Sequence, residues 1–174
     1  MGEPRRSRRG FLAVGVIAVV AAGVAVWWFS PGQQQKRRTA ALIEAARAGD
    51  LKAVEAALDG GGDVNTRDAE GITLLMHAVR GDRPEIANPA PSDHPEVVEL
   101  LIKRGADVNA KTDAGFMALF WAARYGHDRV TKVLIAHGAD VNAKDTDGLT
   151  ALSWATTNKQ AKVVELLKEA GAKE

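Results

Sequence analysis

The chain has 174 residues, 46% hydrophobic and 26% charged, with a net charge of +1 and no cysteine; this suits one domain with a tail and excludes disulfides, thiolate metal sites and cysteine nucleophiles. Charge is unevenly placed: residues 1–38 carry seven Lys/Arg against one Glu, and residues 39–174 carry sixteen against twenty-one acids. A mildly acidic body without a dense basic stripe argues against nucleic acid as a partner, because phosphates demand clustered cations.

In chain order, residues 1–9 are a basic flank holding Arg5, Arg6, Arg8 and Arg9. Residues 10–29, Gly10 to Phe29, carry no charge and no proline. As a helix they span ~30 Å, the thickness of a hydrocarbon core, so a transmembrane helix is predicted. Trp27, Trp28 and Phe29 close it with aromatic rings suited to the lipid–water boundary. Ser30-Pro31-Gly32 is expected to stop the helix, leaving residues 30–38 as a polar linker.

The cations favour the N-terminus inside and the body across the cytoplasmic membrane, four arginines before the span against Lys36, Arg37 and Arg38 after it. Ser7-Arg8-Arg9-Gly10-Phe11-Leu12 resembles the twin-arginine export signal of bacteria, which implies export and the same topology. The apolar run exceeds an ordinary signal peptide, and its small-residue sites lie inside it. A retained single-pass anchor is therefore expected, with the body in the periplasm or outside; export followed by cleavage is the alternative.

From residue 39 the sequence repeats. "GADVNAK" occupies Gly105–Lys111 and returns at Gly138–Lys144, and a weaker copy, "GGDVNTR", occupies Gly61–Arg67. Aligning these phrases gives units at 40–66, 73–110, 117–143 and 150–174, each predicted as a helix, a turn and a second helix. The second unit carries an insertion, 81–92, with three prolines. Val97, Val98 and Leu101, and again Val163, Val164 and Leu167, mark one apolar face of a helix. Gly61, Gly105, Gly138 and Gly171 follow the second helices, where a left-handed backbone is needed to end them. A single unit cannot bury its apolar side alone, so the copies must stack.

The wording and period resemble the ankyrin repeat. The best match is Leu119, Ala122, Ala123, Gly126, His127, Val130, Leu134 and Gly138 to Asn142. The resemblance implies an all-α solenoid of four helix–turn–helix units, 39–174. It also implies binding of another protein through the turn tips and first helices, which line a concave face. The family's Thr-Pro-Leu-His motif is altered: its His position holds Ile43, Met76, Phe120 and Ser153, so the usual polar tie there is expected to be absent.

No catalytic, cofactor or metal site is predicted. The four histidines, His77, His94, His127 and His137, lack the i, i+4 spacing of a helical metal site. Gly60-Gly61-Gly62 lacks the Lys-Ser/Thr of a phosphate loop, and Ser153 lacks a nucleophile turn. No small-molecule substrate is expected.

A protein partner is expected to meet three groups of residues. Ile72, Phe116 and Leu149 form an apolar row just before the first helices; the alternative is that they pack turn on turn. Arg80, Arg124 and Tyr125 follow on those helices, a composition found at binding hot spots. Trp121 and Trp154, 33 residues apart, are expected in one column, more as inter-repeat packing than as ligand contacts. Acids at the turn tips (Asp68, Glu70, Asp113, Asp145 and Asp147) form a negative rim. The function expected is membrane-anchored protein recognition; the alternatives are an immunity or inhibitor protein for one toxin or enzyme, and an accessory enzyme domain.

Overall fold

The computed structural model describes residues 31–81 and 93–173. The expected membrane span at 10–29 and most of the 81–92 insertion lie outside the described residues. Among the described residues, no helix is long and apolar enough to cross a membrane.

All regular structure there is helical: α1 Pro31–Ala48, α2 Leu51–Asp59, α3 Leu74–Arg80, α4 Pro95–Lys103, α5 Ala118–Tyr125, α6 Asp128–Ala136, α7 Ala151–Thr157 and α8 Ala161–Glu169. The chain divides into Met1–Arg38 and Thr39–Glu174. Within the second unit the helices form two layers: α3, α5 and α7 pack in sequence, and so do α2, α4, α6 and α8.

One expectation is corrected. Residues 31–38 are helical, the opening turns of α1, where a polar tether was expected. At the first helical position proline's missing N–H would have been unpaired anyway, and its fixed φ is already helical.

The core runs through every unit: Leu42, Val54, Leu75, Val98, Leu101, Leu119, Phe120, Leu134, Leu152 and Leu167 are all under 4% exposed. Short alanines, Ala46, Ala78, Ala122, Ala123 and Ala155, are fully buried and let neighbouring first helices approach. The second helices are laced on their exposed side by Arg104 to Asp59 (2.7 Å), Arg129 to Glu96 (2.6 Å) and Lys162 to Asp128 (2.8 Å). Each such exposed pair contributes little alone. A stronger tie is Asp93, whose carboxylate accepts from the backbone N–H groups of Arg129 and Val130 and so caps α6 from the preceding unit.

The repeated phrase has a structural reason. Asn65 donates through Nδ2 to the Gly105 carbonyl (3.1 Å) and accepts at Oδ1 from the Asp107 N–H (3.1 Å). Asn109 does the same to Gly138 (3.0 Å) and Asp140 (2.8 Å), and Asn142 to Gly171 (3.3 Å) and Lys173 (2.8 Å). Asp63, Asp107 and Asp140 each accept from the backbone N–H of the Asn two residues on, which pins that asparagine in place. The phrase is thus a connector: its Asn spans to the next unit's Gly and Asp. Asn109→Ala removes both ends of one link and is expected to cost about 1–2 kcal/mol, two hydrogen bonds partly replaced by water. Urea unfolding checks it, with Asn109→Asp, which keeps only the acceptor, falling between wild type and Ala.

Candidate functional site

The turns before the first helices share one construction. Asp68 Oδ1 accepts from the N–H groups of Glu70 and Ile72, and Asp145 Oδ1 from those of Asp147 and Leu149. The second carboxylate oxygen reaches nine residues on, into the first helix: Asp68 Oδ2 to His77 Nε2 (2.9 Å), and Asp145 Oδ2 accepting from Trp154 Nε1 (3.0 Å). A polar tie between turn and helix therefore exists after all, carried one position beyond the motif's His. In the fourth unit the old position contributes as well, since the Ser153 and Thr150 hydroxyls are 3.1 Å apart.

The third unit breaks the pattern. Its turn residue is Thr112, whose hydroxyl accepts only from the Phe116 N–H (3.1 Å). Trp121, nine residues on, keeps its buried Nε1 without a hydrogen-bond partner among the described residues. The Thr112 hydroxyl holds the turn, and the side chain has no second oxygen placed toward the indole as the Asp145 carboxylate has.

His77 is 3% exposed. Burial, ahead of the opposing pull of the Asp68 carboxylate, lowers its pKa below the usual 6.5, and Arg47 and Arg80 push the same way. The neutral ring donates Nε2–H to Asp68, and Nδ1 has no partner among the described residues. The unfolded chain takes up a proton near pH 6.5, before the folded one does. Stability from this group is therefore complete above that pH and is lost as pH falls toward the lowered folded value. Acid titration of the urea midpoint is expected to show a steeper fall below pH 6.5 in wild type than in His77→Gln; equal slopes would remove His77 from the account.

Most of the expected partner residues converge on the first-helix face. Phe116 lies 5.1 Å from the Trp121 ring and 5.2 Å from the Trp154 ring, and edge-on to Phe120 at 5.7 Å. Tyr125 stacks on Trp121 at 5.9 Å. The Arg124 guanidinium sits over Trp121 (5.9 Å), Tyr125 (5.8 Å) and Trp154 (5.4 Å), and Arg80 over Trp121 at 5.1 Å. The two tryptophans of the expected column are thus bridged by Phe116 and Arg124. Each cation–π contact contributes about 0.5–1 kcal/mol at such partly exposed sites and holds the guanidinium in place.

The expected apolar row divides. Ile72 is buried at 5%, Phe116 is half-buried, and Leu149 stays 39% exposed. Ile72, Phe116 and Trp121 form the floor of a groove of about 330 Å³, with Glu70 and Asp113 at its edge; Leu149 does not line it. Arg67 Nη1 donates to the carbonyls of Gly71 (3.1 Å) and Lys111 (2.9 Å), which fixes the spacing of the two turns that wall the groove.

Residues 90–174 match the model for ankyrin repeats, in three copies. Similarity to two curated proteins covers stretches of comparable or greater length. An 88-residue stretch, 49% of the chain, is 38% identical to the ankyrin repeat and KH domain-containing protein mask-1 of Caenorhabditis elegans, covering 3% of that protein. A 112-residue stretch, 64% of the chain, is 34% identical to the human mitochondrial disaggregase, covering 13% of it. The chain thus spans a small part of either relative. The ankyrin model begins after α3, yet the Asn65 and Asp68 contacts show the same connector and turn construction in the units before it.

Three functional features were not singled out from sequence: the Asn connectors, the turn-to-helix ties, and Phe120 as the ring beneath the cluster. The repetition of Asn at a fixed place in Asn65, Asn109 and Asn142 was the available signal for the first. Among the described residues, no three His, Cys, Asp or Glu side chains are grouped to hold a metal ion.

Proposed function

We propose that this chain is a membrane-anchored protein-recognition module that binds its partner through the first-helix face of its ankyrin repeats. The observation that carries the reading is the cluster of Phe116, Trp121, Tyr125, Trp154, Arg80 and Arg124, aromatic rings with guanidiniums laid over them on one face. Partly exposed Trp, Tyr and Arg are the residues that supply most binding energy at protein interfaces. Because the rings hold the arginines in position beforehand, little side-chain freedom remains to be lost on docking. The anchor rests on the uncharged run 10–29 and its flanking cations, which orient the repeats outside the cytoplasmic membrane.

A photo-crosslinking residue in place of exposed Leu149, in the full chain in its own membranes, tests the interface. A partner adduct is expected there, lost with Arg124→Glu/Tyr125→Ala. An adduct formed instead from Lys132, on the second-helix layer, would move the interface. Reporters fused at Lys36 and Glu174 test the anchor, and both are expected on the outer side.

A further inference from the structure

We infer that the groove between the second and third turns accepts one long cationic side chain, Arg or Lys, from a protein partner; this rests on the recognition role proposed above. The floor is apolar and aromatic: Ile72, Phe116 and Trp121. Its volume of about 330 Å³ suits one extended side chain rather than a helix face. Glu70 and Asp113 stand at the edge, exposed, and neither forms an ion pair among the described residues.

An aliphatic stem ending in a cation satisfies both halves of this site. The methylenes cover the floor, as Lys and Arg stems do on apolar surfaces. The head group emerges between two carboxylates and beside a ring. The Trp121 ring already carries Arg80 at 5.1 Å, so the partner's head group is met by the two carboxylates and its stem by the apolar floor. A carboxylate-bearing side chain fits poorly, since it would meet Glu70 and Asp113. A purely apolar one would leave both acids idle at the rim. Arg67 is engaged with the Gly71 and Lys111 carbonyls, so it braces the walls rather than filling the space between the acids. Arg80 and Arg124 are held over their aromatic rings on the adjoining helices.

The test is a titration of the isotope-labelled full chain, followed through the Trp121 indole N–H resonance, with Trp154 as the internal reference. Four peptides differ only in a central arginine, citrulline, norleucine or glutamate within a glycine–serine frame. The arginine peptide is expected to shift Trp121 and to bind about ten-fold more tightly than the citrulline peptide, which keeps shape but lacks charge. Glu70→Gln/Asp113→Asn, exposed and near-isosteric, is expected to erase that difference. Equal binding of arginine and citrulline, tighter binding of norleucine or glutamate, or no shift of Trp121 would each overturn the inference. If wild type forms the Leu149 adduct but shows no preference for the arginine peptide, the groove assignment fails and the recognition face stands. If the adduct is absent in wild type, the recognition face fails instead.

Discussion

Phe120→Ala is expected to lower the free energy of unfolding by about 3–5 kcal/mol, the range for emptying a fully buried aromatic site. The ring has 0% exposure and stands where the ankyrin motif carries a histidine. It meets Phe116 edge-on at 5.7 Å, and Phe116 in turn touches both Trp121 and Trp154. A cavity at Phe120 would therefore open beneath the aromatic cluster proposed as the recognition face, so the loss should appear twice. Urea unfolding would show the shift in midpoint, and the Leu149 adduct would fall even at temperatures where the chain stays folded. Phe120→Leu, which keeps most of the volume, is expected to cost under about 1.5 kcal/mol. A cost below about 1 kcal/mol for the alanine variant would show that the ring is not sealed in the core.

Gly126→Ala carries the second effect, about 1–2 kcal/mol, mostly from the backbone and less from a collision that the flexible end of Gln160 can relieve. Gly126 closes α5 at φ 76° and ψ 32°, a left-handed setting that costs an L-residue about 1 kcal/mol or more. A β-carbon there would also run into the side chain of Gln160 from the next unit, whose Nε2 donates to the Arg124 carbonyl at 3.4 Å. The same juxtaposition occurs two interfaces earlier, where His94 packs onto Gly49. Adding Gln160→Ala to Gly126→Ala is expected to recover the steric part and leave the backbone part. Lys159, at the corresponding place in the fourth unit, holds φ 58° with its side chain exposed, so strain without collision is tolerated. Full additivity of the two substitutions would mean that Gln160 is not the obstacle.

The reading from sequence was strongest where one residue type answers to one local constraint. Gly105 and Gly138 were read as left-handed helix ends from position alone and lie at φ 93° and 82°. Val97, Val98 and Leu101 were read as one helix face, and all three are buried. It was weaker where a residue has two local uses. Pro31 was read as leading into a tether and stands at the first residue of α1, because proline suits both sides of a helix boundary.

The candidate site was legible as a set of residues but not as an arrangement. Arg80, Arg124, Tyr125, Phe116 and the two tryptophans were marked by repeat position; Leu149 was marked the same way yet does not line the groove. What brought the others together was the distance between stacked units, which no single unit encodes. The same distance decides that Asp145 reaches Trp154 while Thr112 leaves Trp121 Nε1 without a partner among the described residues.

The sequence by itself determined the helical units, their period, their apolar faces and the charge split between residues 1–38 and the rest, because those follow from local geometry and composition. Only the tertiary structure decided which side chains bridge units: the asparagine connectors, Gln160 over Gly126, Arg124 across three rings, and the groove floored by Ile72, Phe116 and Trp121. Such contacts join residues about 30 or more positions apart, and their energies depend on ångström-scale spacing between slabs that only the packed stack fixes.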